Sequence, residues 1–374
     1  MKPGVVSTVT HLRTLLVGVH SPNNPIKNIQ SYYDEFINLV TSNGIEYEDI
    51  FLVKIRTIDS AYFLTKGKVE DLAQLVTENK IDEVIFSEPL NAQQERNLSD
   101  LLGCRVFDRT QLILELFEKG AQSAEGKTQV ELALLQHRKS RLAGLGIHMS
   151  QQEGRTGGRG PGETQKERDI QHIEKQITRI KKELAQLEKV RHTQRKRRLE
   201  TGTLNFCLIG YTNSGKSTIL NILTKSNVLA EDRLFATLDT TTRSLVIEGK
   251  KKGVLSDTVG FIQQLPHHLV EAFKSTLTEL QYAHLLLHVV DISDLNWQNH
   301  ISVVMHVLKE MDVDKPILYV FNKIDLVANE NLIEREIHKY HPHVLVSALS
   351  KDGIRPLIEF LEEWEPNDTN DDKN

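Results

Sequence analysis

Short apolar runs alternate with helically spaced apolar residues along the first 118 residues of the chain. Residues 13–20 and 81–86 form apolar runs that are typical of buried strands. Residues 32–40 and 91–102 carry apolar side chains at helical spacing, and each segment ends close to a glycine suited to terminate a helix. Strands that alternate with helices predict a small N-terminal α/β domain. Spacing alone indicates no catalytic group in this region.

The pattern changes after Gly126, where glutamine, leucine and arginine predominate. Residues 130–145 predict a helix, and residues 151–162 form a loop rich in glycine and arginine. Residues 164–167, Thr-Gln-Lys-Glu, fit a capping box that begins a second helix. Apolar residues then recur at steps of three and four and predict a heptad seam of Ile170, Ile173, Ile177, Ile180, Leu184 and Leu187. We therefore predict an antiparallel helical hairpin, a coiled-coil linker with the glycine-rich loop at its end.

The formal net charge of −5 hides a strong asymmetry along the chain. Lysine and arginine concentrate in the predicted hairpin, whereas the last residues are acidic. This density of arginine favours nucleic-acid contact over a merely solvated helix face. Charge alone does not distinguish RNA from acidic lipid, so peripheral membrane association stays open. The candidate RNA contacts are Arg155, Gly157, Gly158, Arg159, Gly160, Arg195, Lys196, Arg197 and Arg198.

Another apolar run, residues 205–209, leads into a phosphate-binding motif. The motif G-x-x-x-x-G-K-S follows a predicted strand and precedes a predicted helix, which is the context its mechanism requires. Backbone N–H groups would hold the phosphates, Lys216 would reach the β and γ oxygens, and Ser217 would offer its hydroxyl to Mg²⁺. The predicted phosphate ligands are Gly210, Tyr211, Thr212, Asn213, Ser214, Gly215, Lys216, Ser217 and Thr218. The motif predicts that a nucleoside triphosphate binds here.

The chain after Gly202 predicts a doubly wound α/β domain, a P-loop nucleotide-binding fold. Two of its strands, joined by residues 248–250, predict an antiparallel hairpin at the edge of the sheet. Phosphate is expected at the carboxyl ends of the parallel strands. Asp257 and Gly260 follow one such strand, where a carboxylate can hold Mg²⁺ through water and a glycine N–H can meet the γ-phosphate. Two more strand ends carry Asn322, Lys323, Asp325, Ser347, Ala348 and Leu349.

The residues at these last two strand ends predict which nucleotide base is bound. The Asp325 carboxylate can accept both guanine N1–H and the exocyclic amine, while Lys323 packs along the ring. A backbone N–H among Ser347, Ala348 and Leu349 can donate to guanine O6. Adenine lacks the two donors that Asp325 needs, and such mismatches give discrimination on the order of 10⁴-fold. Four motifs in this order predict GTP and GDP as ligands.

The first switch segment is predicted between the phosphate-binding helix and the following strand, where Phe235 and Thr237 lie. Thr237 is the best candidate to complete the Mg²⁺ shell, and its competitors are Thr240, Thr241 and Thr242. Phe261 stands where many GTPases place the glutamine that orients the attacking water. A phenyl ring cannot form the hydrogen bond that orients this water. We therefore predict that the protein by itself hydrolyses GTP slowly and that a partner stimulates it.

Two cofactors follow from these motifs. Ser217, Thr237 and Asp257, the last through water, are the predicted Mg²⁺ ligands. K⁺ is a second candidate, because some GTPases use an asparagine at the position of Asn213 to help bind it. The predicted catalytic residues are Lys216, Thr237 and Gly260.

Bulk properties limit the class of protein. No apolar stretch approaches the ~20 residues that span a bilayer, and the N-terminus lacks a secretory signal. Cys104 and Cys207 both lie in apolar runs, which favours buried thiols and a reducing, cytoplasmic setting. We predict a monomer with an N-terminal α/β domain at 1–120, a basic helical hairpin at 121–200 and a GTP-binding domain at 201–374.

Two stretches of the chain closely resemble the HflX family of translation-factor-related GTPases. They are Gly157-Gly158-Arg159-Gly160-Pro161-Gly162-Glu163-Thr164-Gln165 and Asp257-Thr258-Val259-Gly260-Phe261-Ile262. The N-terminal runs Thr65-Lys66-Gly67-Lys68-Val69 and Phe107-Asp108-Arg109-Thr110 are also similar to that family. Residues 235–239 match its first switch and support Thr237, although Thr240 stands where the family usually has proline. We expect the extra C-terminal domain of some members to be absent.

The resemblance implies a role that spacing does not. Family members bind the large ribosomal subunit and its RNA through the glycine-rich loop and the helical rod. Several of them split stalled or idle ribosomes under stress such as heat. Some have an ATP-linked RNA-unwinding activity in the N-terminal region, although no second Walker motif is visible here. Two alternatives stay open: a signalling GTPase with a protein or membrane partner, and an ATP-linked RNA helicase or chaperone.

Overall fold

A computed structural model describes residues 12–22, 28–144, 161–226, 234–235, 241–264, 269, 278–327 and 335–366. The chain divides into two compact units, one of residues 1–116 with 136–174 and the other of residues 117–135 with 175–374. The mixed α/β class with an N-terminal domain, a helical middle region and a C-terminal P-loop domain is confirmed. The exact boundaries of the three predicted domains stay a prediction.

The N-terminal region contains a four-stranded parallel sheet in the order β2-β1-β3-β4. Its strands are β1 Thr14–His20, β2 Asp49–Lys54, β3 Glu83–Phe86 and β4 Arg105–Asp108. Its helices are α1 Ile29–Ser42, α2 Lys66–Glu78, α3 Ala92–Leu102 and α4 Arg109–Gly120. The alternation of strands and helices is confirmed, and α4 is an element that the pattern did not predict.

Local sequence signals define the ends of α3. The Asn91 side chain accepts the N–H of Gln94 at 2.8 Å, and the Gln94 side chain accepts the N–H of Asn91 at 3.0 Å. This reciprocal pair is a capping box, which satisfies two backbone donors at the helix start. Gly103 ends the helix with φ of 66°, in the left-handed region that glycine adopts without steric cost.

A buried ion pair joins α1 to α4. The Arg109 guanidinium is 1% exposed and pairs with the carboxylate of Glu35. It also lies over the ring of Tyr32, 4.9 Å from the centroid. Next to it, Asp108 at the end of β4 accepts the N–H of Leu90 at 2.8 Å. The Asp108-Arg109 part of the run Phe107–Thr110 is therefore structural in this fold.

We expect Glu35→Ala to destabilise the N-terminal sheet by about 3 kcal/mol, because a buried guanidinium would lose its carboxylate partner. Hydrogen exchange of the β1 and β3 amides measures this loss without interference from the other unit. Glu70→Ala, an exposed acidic residue on α2, is the matched control and should leave protection unchanged. Equal protection in wild type and Glu35→Ala would contradict the expectation.

The middle region is an antiparallel helical hairpin, as predicted. It consists of α5, Ala124–Gly144, and the 40-residue α6, Pro161–Glu200. Lys139 pairs with Glu174 at 2.8 Å, and Glu125 pairs with Arg191 at 2.8 Å, so the start of α5 lies beside the end of α6. Ile173 and Ile180, seven residues apart, are buried in the predicted seam.

The predicted start of α6 is wrong. The helix begins at Pro161, so Thr164 lies inside it and residues 164–167 do not form a capping box at its end. Proline suits the first helical position, because its fixed φ fits a helix and its missing N–H is not needed there. The candidate RNA contacts Arg155, Gly157, Gly158, Arg159 and Gly160 lie outside the described residues. The backbones of residues 195–198 belong to α6, and their side chains lie outside the described part of the structure.

An ion-pair cluster joins α5 to the edge of the N-terminal sheet. The guanidinium of Arg141 donates to the carbonyl of Leu90 at 2.8 Å and to the carboxylate of Asp108 at 2.9 Å. It also pairs with Glu95 at 2.6 Å. Burial raises the pKa of Glu95, and the charge of Arg141 opposes that shift. The cluster fixes the second half of α5 on the N-terminal α/β layer.

The C-terminal region contains a six-stranded sheet in the order β10-β9-β8-β5-β7-β6, parallel except for β6. Its strands are β5 Leu204–Gly210, β6 Thr241–Ile247, β7 Lys250–Asp257, β8 Leu285–Asp291, β9 Ile317–Asn322 and β10 His343–Leu345. Helices with described bounds in this region include α7 Lys216–Thr224, α8 Trp297–Glu310 and α9 Arg355–Glu363. The predicted edge hairpin is confirmed, and Glu248 and Gly249 both have positive φ in its turn. Apolar clusters cover both faces of the sheet.

Candidate nucleotide-binding site

The predicted motifs converge on one edge of the six-stranded sheet. β5, β7 and β9 end at Gly210, Asp257 and Asn322, and Ser347 follows the end of β10. These strands are parallel, so their carboxyl ends meet at the same edge. This edge is where ligands bind in doubly wound folds. The structure brings the phosphate and base motifs together.

Asn322 links the phosphate-binding loop to the loop after β10, which carries one of the two base motifs. Its amide nitrogen donates to the carbonyl of Ser214 at 2.9 Å, and its amide oxygen accepts the N–H of Ala348 at 3.0 Å. Gly215 has φ of 94°, and a Cβ added there would lie 2.3 Å from the Asn322 amide nitrogen. Glycine is therefore required at position 215 both by its conformation and by the close approach of Asn322.

Lys216 begins α7 and is buried beneath the loop. Its Nζ donates to the carbonyls of Tyr211 at 2.7 Å and Gly210 at 3.2 Å. Burial lowers the pKa of Lys216 to about 8, and the nearby carboxylate of Asp257 opposes the shift. The ammonium lies at the end of β5, where it could neutralise phosphate oxygens.

Ser217 and Asp257 lie together, as their predicted roles as Mg²⁺ ligands require. The Ser217 hydroxyl donates to the Asp257 carboxylate at 2.7 Å. The hydroxyls of Thr212 and Ser214 are buried and have no hydrogen-bond partner among the described residues. Buried polar groups need partners, and phosphate oxygens would supply them here. The residues present thus fit a phosphate group together with an oxygen-liganded cation.

The base motifs occupy neighbouring loops. The Ser347 hydroxyl donates to the Asp325 carboxylate. Lys323 pairs through Nζ with Asp291 at 2.7 Å. Leu349 is 83% exposed. Asp291, at the end of β8, was missed by the sequence analysis, although its place at a strand end could have indicated it.

Gly260 lies against the phosphate-binding loop. A Cβ added there would approach Thr212 Cγ2 to 2.8 Å and Lys216 Nζ to 3.1 Å. The next residue, Phe261, is buried, and its N–H donates to the carbonyl of Gly210 at 3.1 Å. The phenyl ring therefore belongs to the core.

Phe235, a predicted nucleotide-binding residue in the first switch, lies within the described residues. Its φ is 55°, and its buried ring meets the ring of Phe117 edge-on, with centroids 4.6 Å apart. Thr237 and Thr240 lie outside the described residues. Thr241 and Thr242, the other competitors, belong to β6, where the Thr242 and Ser256 hydroxyls bond at 2.8 Å.

His288 is a buried histidine on β8 near the site. Burial lowers its pKa to about 3, with a smaller contribution from the charge of Lys216. Its Nδ1 has no hydrogen-bond partner among the described residues. The structure shows no group of three metal-ligating side chains in the part of the chain that it describes. His288 is therefore a neutral core residue.

We expect His288 to make the C-terminal domain sensitive to acid. The pKa of His288 in the folded state lies below its ordinary value of 6.5, so below pH 6.5 the unfolded state binds a proton that the folded state does not. The contribution of neutral His288 to stability is therefore full above pH 6.5 and is lost as the pH falls toward 3. One extra proton bound by the unfolded state costs about 1.4 kcal/mol per pH unit. Between pH 7 and pH 5, wild type should lose about 2 kcal/mol more stability than His288→Leu.

Urea unfolding followed by tryptophan fluorescence tests this expectation. Both tryptophans, Trp297 and Trp364, lie in the second unit, so the signal reports on the domain that contains His288. Equal losses in the two proteins would show that His288 does not titrate on unfolding.

Known proteins are similar in sequence to this chain over most of its length. Three family regions match in order: "GTP-binding GTPase N-terminal" over residues 30–118, "GTP-binding GTPase Middle Region" over 120–198 and "50S ribosome-binding GTPase" over 205–323. GTPase HflX of Caldanaerobacter subterraneus is 44% identical over 88% of this chain and 76% of its own length. The chain belongs to the GTPase HflX family. Escherichia coli GTPase HflX is 42% identical over 88% of this chain and 78% of its own.

Membership of this family makes the chain a GTP-binding and GTP-hydrolysing enzyme. A GTP-binding protein from Sulfolobus solfataricus, solved in complex with GDP, is 24% identical and covers 94% of this chain and all of its own, with a TM-score of 0.46. Among the described residues, none of the helices combines the length and the apolar composition that a membrane span requires.

Proposed function

We propose that this GTPase binds the large ribosomal subunit and splits or rescues stalled and idle ribosomes under stress. The observation that carries the proposal is the 40-residue helix α6 of the hairpin. The glycine- and arginine-rich loop precedes its first residue, and the run Arg195–Arg198 lies close to its last. A helix rises 1.5 Å per residue, so the backbone of α6 extends about 50 Å from Pro161 to Arg195.

Arginine-rich sequence next to both ends of a helix of this length suits an extended polyanion such as ribosomal RNA. The match of residues 205–323 to the region described as a 50S ribosome-binding GTPase supports the same partner. Binding that depends on phosphate contacts should weaken steeply with salt. GTP would set whether the hairpin and the GTPase domain adopt the arrangement that the ribosome binds.

For the chemistry, we propose that Lys216 neutralises the β and γ oxygens and that the Gly260 N–H meets the γ-phosphate. Ser217 and Thr237 would bind Mg²⁺ directly and Asp257 through water. The ion would supply charge neutralisation between the β- and γ-phosphates. Asp325 would select guanine. Because the Phe261 ring cannot hold the attacking water, hydrolysis without a partner should be slow.

The experiment that tests the ribosome proposal measures GTP hydrolysis alone, with purified large subunits and with small subunits. A variant with residues 157–162 shortened is measured beside wild type. We expect strong stimulation by large subunits only, and loss of that stimulation in the shortened variant. No stimulation, with GTP binding intact, would contradict the proposal and favour a signalling GTPase with a protein or membrane partner.

K⁺ is the second proposed cofactor. Asn213 lies in the phosphate-binding loop with φ of 59°, and its type and position are those that some GTPases use for K⁺. We expect faster turnover in K⁺ than in Na⁺ at equal ionic strength, because K⁺ would supply positive charge to the transition state. Asn213→Ala should remove the difference between the two salts, and equal wild-type rates would exclude K⁺.

A further inference from the structure

The side chain of Tyr211 connects three parts of the GTPase domain. Tyr211 is the second residue of the phosphate-binding loop, and its side chain is buried. Its ring stacks on the ring of His300 in α8, with centroids 3.8 Å apart and planes 10° from parallel. Its hydroxyl accepts the N–H of Gln263 at 2.8 Å. The motif G-x-x-x-x-G-K-S assigns no role to this side chain.

Backbone bonds join the same two segments beside the hydroxyl. The N–H of Phe261 donates to the carbonyl of Gly210 at 3.1 Å, and the N–H of Thr212 donates to the carbonyl of Phe261 at 2.8 Å. Residues 211 and 261 thus form a short parallel bridge. The Tyr211 hydroxyl extends this bridge to Gln263, two residues farther along the chain. Gln264 then turns into the left-handed region with φ of 51°.

We propose that Tyr211 is a positioning residue for GTP hydrolysis, which holds residues 260–263 against the phosphate-binding loop and so keeps the Gly260 N–H ready for the γ-phosphate. This inference rests on the proposed role of Gly260. The hydroxyl fixes the segment, and the stack on His300 fixes the hydroxyl. The Tyr211 ring can be rigid because α8 is anchored in the core through Trp297 and Ile301.

The arrangement has a different consequence for GTP and for GDP. Only GTP has the γ-phosphate that the Gly260 N–H would meet. A segment that is ordered in advance lowers the cost of binding GTP and does not change the cost of binding GDP. The Tyr211 hydroxyl should therefore contribute to the preference for GTP and to the rate of hydrolysis.

Tyr211→Phe in the full-length chain removes the hydroxyl and keeps the aromatic stack. We expect binding of a non-hydrolysable GTP analogue to weaken about fivefold, which corresponds to the loss of one neutral hydrogen bond. GDP affinity should stay unchanged, and the single-turnover hydrolysis rate should fall. Tyr319→Phe, on β9 of the same sheet, is the matched control and should change neither affinity nor rate.

Two outcomes would overturn the inference. Equal losses of GDP and analogue affinity would show that Tyr211 only supports the loop. Unchanged analogue affinity with unchanged exchange of the amides of residues 261–263 would show that the hydroxyl does not position the segment, whereas unchanged affinity with faster exchange would contradict the proposed role of Gly260. Hydrogen exchange of the amides of residues 261–263 provides an independent measurement. These amides should exchange faster in Tyr211→Phe, and unchanged exchange would contradict the inference. No ribosome is present in either assay, so failure of the ribosome proposal would not affect the result.

Discussion

Replacing Asp325 by asparagine is expected to shift the base preference of this GTPase from guanine to xanthine. The aspartate carboxylate has only acceptors, which suits the N1–H and exocyclic amine of guanine. Asparagine keeps one acceptor and adds an amide donor, which suits the O2 of xanthine and leaves the guanine amine facing a donor. Mismatches of this kind change the discrimination between two bases by a factor on the order of 10⁴.

Competition between GTP and XTP for the purified chain measures this shift. The amide oxygen that Asp325→Asn introduces could still accept the Ser347 hydroxyl, so the loop should keep its geometry. Asp314→Asn, an exposed residue before β9, is the control that removes one charge without touching the base loops. An Asp325→Asn protein that still prefers GTP would contradict the assignment of Asp325 to the base.

Replacing Lys216 by alanine is expected to reduce GTP hydrolysis by at least about 10²-fold, because a charge aimed at the transition state would be lost. The same substitution removes two hydrogen bonds, those from Nζ to the carbonyls of Gly210 and Tyr211. It also leaves the buried carboxylate of Asp257 without its neighbouring cation. GTP binding should therefore weaken as well as hydrolysis.

Single-turnover hydrolysis at saturating GTP separates the loss of rate from the loss of affinity. Lys251→Ala, an exposed residue on β7, removes the same charge elsewhere in the domain and should leave both unchanged. ATP hydrolysis is measured in parallel. ATPase activity that survives Lys216→Ala would favour the alternative of an ATP-linked RNA helicase or chaperone that uses the N-terminal region.

The sequence predicted elements whose causes are local. Asn91 and Gly103 bound α3, because a capping side chain and a left-handed residue act on their own helix. The heptad of α6 was visible for the same reason. α4 was missed because its apolar residues Leu112, Ile113, Leu114, Leu116 and Phe117 are all buried, so no polar face marks the helical period. Residues 164–167 have the types of a capping box, but the helix starts three residues earlier because proline suits the first helical position.

Short-range patterns in the sequence predict the phosphate-binding loop, the residues for guanine recognition and the strands that end at one edge of the sheet. Each of these depends on residues a few positions apart, whose backbone geometry is set by their own types. Other contacts arise only in the folded chain: Asn322 bonds both Ser214 and Ala348, Arg109 pairs with Glu35, and Tyr211 bonds Gln263 through its hydroxyl while its ring stacks on His300. Such contacts join residues far apart in the chain, and nothing in a local pattern specifies them. They form because strand order and packing bring those side chains to one place and exclude the water that would otherwise satisfy them.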